Sequence, residues 1–211
     1  MAMPAVYQSL KHFITVEEYL KFEETAETKH EYADGKIIAM AGTSLRHNDV
    51  ARNITVSMEV QFGDRPCRAY ISDIRLRTRG TRFRYPDVMA LCGKPEADDS
   101  KPPCLLNPQV IIEVLSDSTM LIDLNEKLDE YMQVATLTDY LMFAQDKMWA
   151  RHYAKQDSGD WTVKTYSKPQ DALAIKALDI TLTLADAYRK VELDAEPETS
   201  ENGEMDAQET I

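Results

Sequence analysis

Cysteine is scarce: the 211 residues carry three, Cys67, Cys92 and Cys104, far apart and without a C-x-x-C pair. An odd, scattered set supports neither a disulfide framework nor a structural zinc site, and reads as three reduced bystanders. No uninterrupted apolar run approaches the length that spans a bilayer, which excludes a membrane partner of the helical kind. The opening residues MAMPAVYQSLKHF lack the apolar core of a signal peptide, so the expected compartment is the cytoplasm. Repeats and low-complexity tracts are missing before the C-terminal tail. Positive charge is also short, 24 Lys and Arg against 36 Asp and Glu for a net −12, which by itself argues against a nucleic-acid partner. That deficit is uneven. Residues 194–211 hold seven acids and no Lys or Arg, leaving −5 to residues 1–193. Rich in Pro, Gly, Ser and Glu and nearly free of large apolar side chains, the segment 194–211 is expected to be a disordered acidic tail, a solubilising extension that could also repel polyanions or cover a basic surface.

What remains is ordinary for a globular chain: 44% apolar and 28% charged residues, enough for one core and a single domain over residues 1–193. Thr15 and Glu18 have capping-box spacing ahead of Val16, Tyr19, Leu20 and Phe22, which predicts a first helix to about Thr25. Asp34-Gly35 between two short strand-like runs is a two-residue hairpin signal and puts Glu31 at a helix-to-sheet junction. Gly42-Thr43-Ser44 and the spacing of Val50, Ile54, Val56, Met58 and Phe62 predict a second helix. Cys67 to Thr78 and Arg82 to Cys92 read as two long strands joined at Arg79-Gly80-Thr81. The run 108–115, apolar apart from Glu113, has the pattern of a central strand covered on both faces. Ser116 to Thr119 caps a helix to about Val134, and Lys127 falls within its apolar stripe of Leu124, Leu128 and Tyr131, pointing inward. Asp139 to Gln145, Met148 to Ala154 and Trp161 to Tyr166 complete the sheet. Leu178 to Leu184 gives one more extended stretch ahead of a short terminal helix.

Chemistry concentrates between Tyr85 and Lys127. Asp87 and Glu113 interrupt apolar strands, and a carboxylate there is costly unless a metal ion, a cation or a raised pKa compensates it. Converging on neighbouring strands, the two would suit a hard divalent cation through oxygen ligands, with Lys127 nearby to position a nucleophile or neutralise an oxyanion. Structural carboxylates in buried hydrogen bonds are the alternative, and for Lys127 the alternative is an i, i+4 pair with Asp123. Arg75, Arg77 and Arg79 share one strand face, and Arg82 and Arg84 share one on the return. Such a stripe meets phosphates or simply keeps a hairpin soluble. Strand parity sets Asp87 on the face of Phe83, Tyr85 and Met89, opposite Arg82 and Arg84 unless a bulge intervenes at Pro86. His47, at the start of the second helix, is a candidate for substrate contact or a base, or else a surface or capping residue. An ion pair with Arg75 and Arg77 accounts for Asp73.

Taken in order, Thr15-Val16-Glu17-Glu18-Tyr19, His30-Glu31-Tyr32-x-Asp34-Gly35, Ser72-Asp73-x-Arg75-x-Arg77, Tyr85-Pro86-Asp87-Val88, Glu113-Val114-Leu115-Ser116 and Glu126-Lys127-x-x-x-Tyr131 resemble the bacterial Uma group of restriction-endonuclease-like proteins of the PD-(D/E)XK superfamily. The resemblance spans roughly residues 13–190. It implies an α/β fold around a mixed central sheet flanked by helices. It further implies Asp87 and Glu113 as ligands of Mg²⁺ or Mn²⁺, Glu31 as the upstream acid of that metal site, and cleavage of DNA. Arg75, Arg77, Arg82, Arg84 and His47 are then the expected nucleic-acid contacts. The superfamily's lysine belongs two residues after the glutamate, where this chain has Leu115, and Lys127 on the following helix is the expected replacement. Rival expectations are a catalytically silent DNA-binding or assembly module of the same fold and a metal-dependent hydrolase of small phosphoesters. Double-strand cutting would suit a homodimer, though no stretch identifies an interface.

Overall fold

The structure, a computed structural model, describes residues 13–40, 42–78, 81–116 and 123–194. The turn residues Arg79 and Gly80, the expected cap at 117–119 and the tail past Asp194 lie outside the described residues. In order the elements are α1 (Val16–Glu23), β1 (His30–Ala33), β2 (Lys36–Ala39), α2 (Leu45–Phe62), β3 (Cys67–Ile71), β4 (Arg75–Arg77), β5 (Arg82–Arg84), β6 (Val88–Cys92), β7 (Cys104–Leu105) and β8 (Val110–Leu115). A π-helical turn (Asp123–Lys127) then leads into α3 (Leu128–Tyr131), followed by β9 (Asp139–Ala144), β10 (Ala150–Lys155), β11 (Trp161–Tyr166), β12 (Ala172–Ile175), a 3₁₀ turn (Lys176–Leu178), β13 (Ile180–Thr183) and α4 (Leu184–Ala187).

Local chemistry explains the entry. Thr15 caps α1 in a full capping box with Glu18. Asp34 and Gly35 both take positive φ, 47° and 85°, the backbone of a tight hairpin whose twist matches its strands. Ser44 accepts the His47 N–H at the start of α2, and Val50, Ile54, Met58 and Phe62 form its buried stripe.

Six strands in the order β11-β10-β9-β8-β6-β3 make the central sheet, parallel only between β8 and β9. Its period-two alternation divides two cores. Val110, Ile112 and Val114 join Val88, Leu141 and Phe143 under α2, β12, β13 and α4. Ile111 and Leu115 join Met89, Tyr140 and Met142 with Leu76 and Tyr131 on the other face. Glu113 belongs to that second face by parity. A second sheet, β2-β1-β5-β4-β7, carries a small cluster of Tyr19, Tyr32, Phe83 and Cys104 against α1.

The two long strands predicted from Cys67 to Thr78 and Arg82 to Cys92 are each broken in two. β3 and β6 pair in the central sheet while β4 and β5 pair in the second one, so one bent hairpin serves both sheets. Ser72 and Asp73 make the break on one arm, and Tyr85, Pro86 and Asp87 make it on the other. Pro86 has no N–H to give to a ladder, which suits it to this corner. β12, which pairs antiparallel with β13, was not separately expected. The cysteine expectation also needs correction: Cys67 and Cys92 are disulfide-bonded. They stand directly opposite in the β3–β6 register, a proximity that spacing along the chain does not reveal. Cys104 stays free and buried, its thiol pushed up to about 11 chiefly by burial.

Candidate active site

The register Val88↔Ile112 sets Asp87, one residue before β6, across from Glu113 on β8. Backbone and side chains tie the two acids together. Val114 N–H donates to Asp87 Oδ2 at 2.8 Å, and Asp87 N–H donates to Glu113 Oε2 at 3.4 Å. His47, from the first turn of α2, brings its Nε2 to 3.2 Å of the same Asp87 Oδ2. On the far side Glu113 Oε1 accepts from the Lys127 ammonium at 3.0 Å and from the Tyr131 hydroxyl at 2.7 Å. Lys127 also stands 3.2 Å from Glu31 Oε1. The Glu113 and Lys127 side chains are 4% and 9% exposed, whereas Asp87 reaches 13%, so the group opens toward solvent at Asp87.

A second layer of charge holds Glu31 and, through it, Lys127. Arg84 is buried and donates to Glu31 Oε2 at 2.9 Å and to both oxygens of Glu130, at 2.8 and 2.5 Å. Arg82 joins Glu130 at 2.5 Å and also pairs with Asp34. Burial alone would raise the Glu130 carboxyl, but Arg84 and then Arg82 overcome it and hold it below the usual range. Burial likewise works against the Arg84 charge, yet Glu130 and Glu31 push that guanidinium further up. The Tyr131 phenol is driven well up by burial and by the nearby Glu113 and Glu31 charges, which keeps its proton available for donation to Glu113. Tyr85, also raised by burial and by Glu23, donates to Glu23 at 2.8 Å beside His30.

The arrangement is therefore a pair of cross-strand carboxylates with a lysine brought in from a helical turn. The Uma2 family model, described as "Putative restriction endonuclease", matches residues 16–185. The chain belongs to the Uma2 family. Two uncharacterized Synechocystis proteins are similar along most of their length: sll1609, 35% identical over 70% of this chain and 84% of its own, and slr1290, 30% identical over 83% and 92%. In three dimensions the fold matches a crystal structure of a putative nuclease belonging to DUF820 from Anabaena variabilis. The TM-score is 0.68 at 18% identity, covering 83% of this chain and 97% of the other. The Uma2 fold here is thus the restriction-endonuclease-like α/β architecture.

Within this Uma2 chain the other expected positions scatter. Leu115 is buried on the face of Glu113, so a lysine there would have faced the same carboxylate, and Lys127 reaches it from outside the strand. Among the described residues no three His, Cys, Asp or Glu side chains gather closely enough to hold an ion together. Glu31 pairs with Arg84 at 2.9 Å and with Lys127 at 3.2 Å, and Lys127 links it to Glu113. The arginine stripe is not an open surface: Arg75 is buried over the rings of Tyr19 and Phe83, and Arg84 is buried in the ion network. Arg82 is engaged by Asp34 and Glu130, and only Arg77 of the four is exposed. Arg84 and Asp87 are not on one continuous strand, since β5 and β6 belong to different sheets, and Arg84 pairs with Glu31 and Glu130. Asp73 pairs with Lys29 at 2.8 Å, not with Arg75 or Arg77. Glu130 and Tyr131 were missed as parts of the site. Their signal was the i, i+3 and i, i+4 spacing from Lys127, which places all three on one helical flank.

Proposed function

We propose that this protein is a divalent-cation-dependent endonuclease that hydrolyses DNA phosphodiester bonds, with Asp87, Glu113 and Lys127 at its centre. The observation that carries this reading is Lys127 Nζ at 3.0 Å from Glu113 Oε1, a lysine on the glutamate although position 115 is leucine. Two adjacent hard carboxylates, with no third His, Cys, Asp or Glu gathered beside them among the described residues, suit Mg²⁺ or Mn²⁺, which is commonly held by one or two carboxylates with waters and substrate phosphate completing the shell. Asp87 and Glu113 would hold the ion, and Glu31 would not. When bound, such an ion lowers the pKa of a coordinated water and offsets charge on the phosphate.

The chain's own residues supply the rest. Val114 N–H and His47 fix the Asp87 carboxylate from two directions, so it is oriented before substrate arrives. Lys127, aimed by Glu31 and Glu113, offers N–H donors to the oxygen that gains charge as the phosphodiester is attacked. Tyr131 keeps Glu113 from rotating away.

A silent DNA-binding module of the same fold is favoured by one observation: Asp87, Glu113 and Glu31 all have hydrogen-bond partners within the protein. Nicking of supercoiled plasmid with Mg²⁺ separates the two. Wild-type protein should nick, and Asp87→Ala should lose at least about a hundredfold of that activity. Equal nicking by both would overturn the proposal. Salt-sensitive DNA binding without nicking by either would establish the silent module.

A further inference from the structure

With Arg75, Arg82 and Arg84 engaged inside the protein, a cation that meets the DNA backbone must lie elsewhere. The corner that carries Asp87 supplies one. Asp87 turns its carboxylate and its N–H toward β8, where Val114 and Glu113 meet them. Its carbonyl points the other way, to the end of β3, and accepts the Ser72 N–H at 3.0 Å. The Ser72 carbonyl in turn accepts the Lys29 ammonium at 2.9 Å. Glu113, Asp87, Ser72 and Lys29 therefore follow one another along one edge of the central sheet.

Lys29 also faces the site from its own strand. Its carbonyl accepts the Met40 N–H at 3.0 Å, one step beyond the His30↔Ala39 pair that ends the β1–β2 register. The ladder, and with it the alternation of side chains, thus runs back to residue 29, and Lys29 shares a face with Glu31, the acid that holds Lys127. Two separate paths, one through the end of β3 and one along β1, bring this lysine to the site.

Its charge is only loosely compensated. The Lys29 side chain is 39% exposed, and its partner Asp73, at 2.8 Å, is 82% exposed, the kind of surface pair that yields readily. A phosphate at the corner can replace the Asp73 carboxylate while the bond to Ser72 persists. Asp87 and Ser72 are one strand spacing apart, about 4.8 Å, and a nucleic-acid strand rises about 3.4 Å per nucleotide. A strand held at Asp87 therefore reaches Lys29 within about two or three nucleotides.

We propose that Lys29 is a phosphate-contacting residue of this site, exchanging Asp73 for a backbone phosphate of the bound strand on the side of Asp87 away from Glu113. This rests on the endonuclease reading. The test is fluorescence anisotropy of a labelled DNA duplex across a salt series without divalent cation. Lys29→Gln should flatten the log–log salt slope by about 0.9 and weaken binding about eightfold at 0.1 M salt, the loss of one phosphate contact. Lys29→Arg should keep the wild-type slope. Asp73→Asn should tighten binding about two- to fivefold, since no pair has to open first, and that gain should vanish when Lys29→Gln is added. Exposed Lys155, at the opposite end of the central sheet, supplies the control Lys155→Gln, which should bind as wild type.

An unchanged slope in Lys29→Gln, or an equal loss in Lys155→Gln, overturns the contact while plasmid nicking by wild type still stands. So does an Asp73→Asn variant that binds no tighter, or one whose gain survives without Lys29, which would mark the lysine as a fastening of the corner alone. The aspartate variant leaves Lys29 in place, so it decides the question even if Lys29→Gln disturbs the fold. Wild-type protein that neither binds nor nicks overturns both this inference and the function it rests on.

Discussion

Lys127 is the residue on which the site turns. It is buried with two carboxylates within 3.2 Å, so deleting its charge strands Glu31 and Glu113 against each other. Lys127→Met is expected to lower plasmid nicking by about 10²-fold or more and to reduce stability by about 3–5 kcal/mol, as for a broken buried ion pair. Because Leu115 shares the strand face of Glu113, Leu115→Lys placed on the Lys127→Met background should recover at least about tenfold of the lost rate. Single-turnover nicking kinetics of the three proteins check this, and a double variant no faster than Lys127→Met alone would show that a lysine on the strand cannot reach the same carboxylate. At this scale the sequence was informative about types and less so about company. An inward lysine within an apolar stripe was readable from helical spacing. The attachment of His47 to Asp87 was not, since it joins a helix start to a strand 40 residues later.

Two elements are held together by one acid. Glu130 on α3 receives Arg84 and Arg82 from β5, and Arg84 in turn steadies Glu31 on β1. Its carboxyl is held below the usual glutamate range against the opposing effect of burial. A group with a depressed folded pKa contributes stability that is present above its unfolded value, near 4.5, and is lost as pH falls through the lower folded one. Urea midpoints should therefore decline below about pH 4.5 in wild-type protein. Glu130→Gln should be about 3–5 kcal/mol less stable near neutrality, with two arginines left short of a charge, and its acid decline should be shallower. A variant with the wild-type midpoint at pH 7 would show that α3 does not depend on this anchor. Helix caps and hairpin turns were legible because their signals lie within three or four residues, as at Thr15–Glu18 and Asp34-Gly35. The division of each long hairpin arm between two sheets was not, because alternation continues through Tyr85-Pro86-Asp87 while the backbone changes direction, and only Pro86 hinted at it.

Over the whole molecule, the central sheet ranks its strands by burial. β8 and β9 are buried along their whole length; the run of β8, apolar apart from Glu113, was legible as a central strand, whereas the mixed-sheet architecture was implied by the family resemblance. The pairing of Cys67 with Cys92 and the ion network of Glu31, Arg84 and Glu130 depend on tertiary register that periodicity cannot supply. That network bears directly on the proposed metal site, because it holds Glu31 to Arg84 and Lys127 and leaves Asp87 and Glu113 as the proposed ligands among the described residues. Crystals soaked in Mn²⁺ and measured for anomalous scattering locate such an ion without reference to activity. We expect one peak in contact with Asp87 and Glu113, with Glu31 still paired to Arg84 and Lys127. No peak at that pair, or a peak ligated by Glu31, would contradict the site as described.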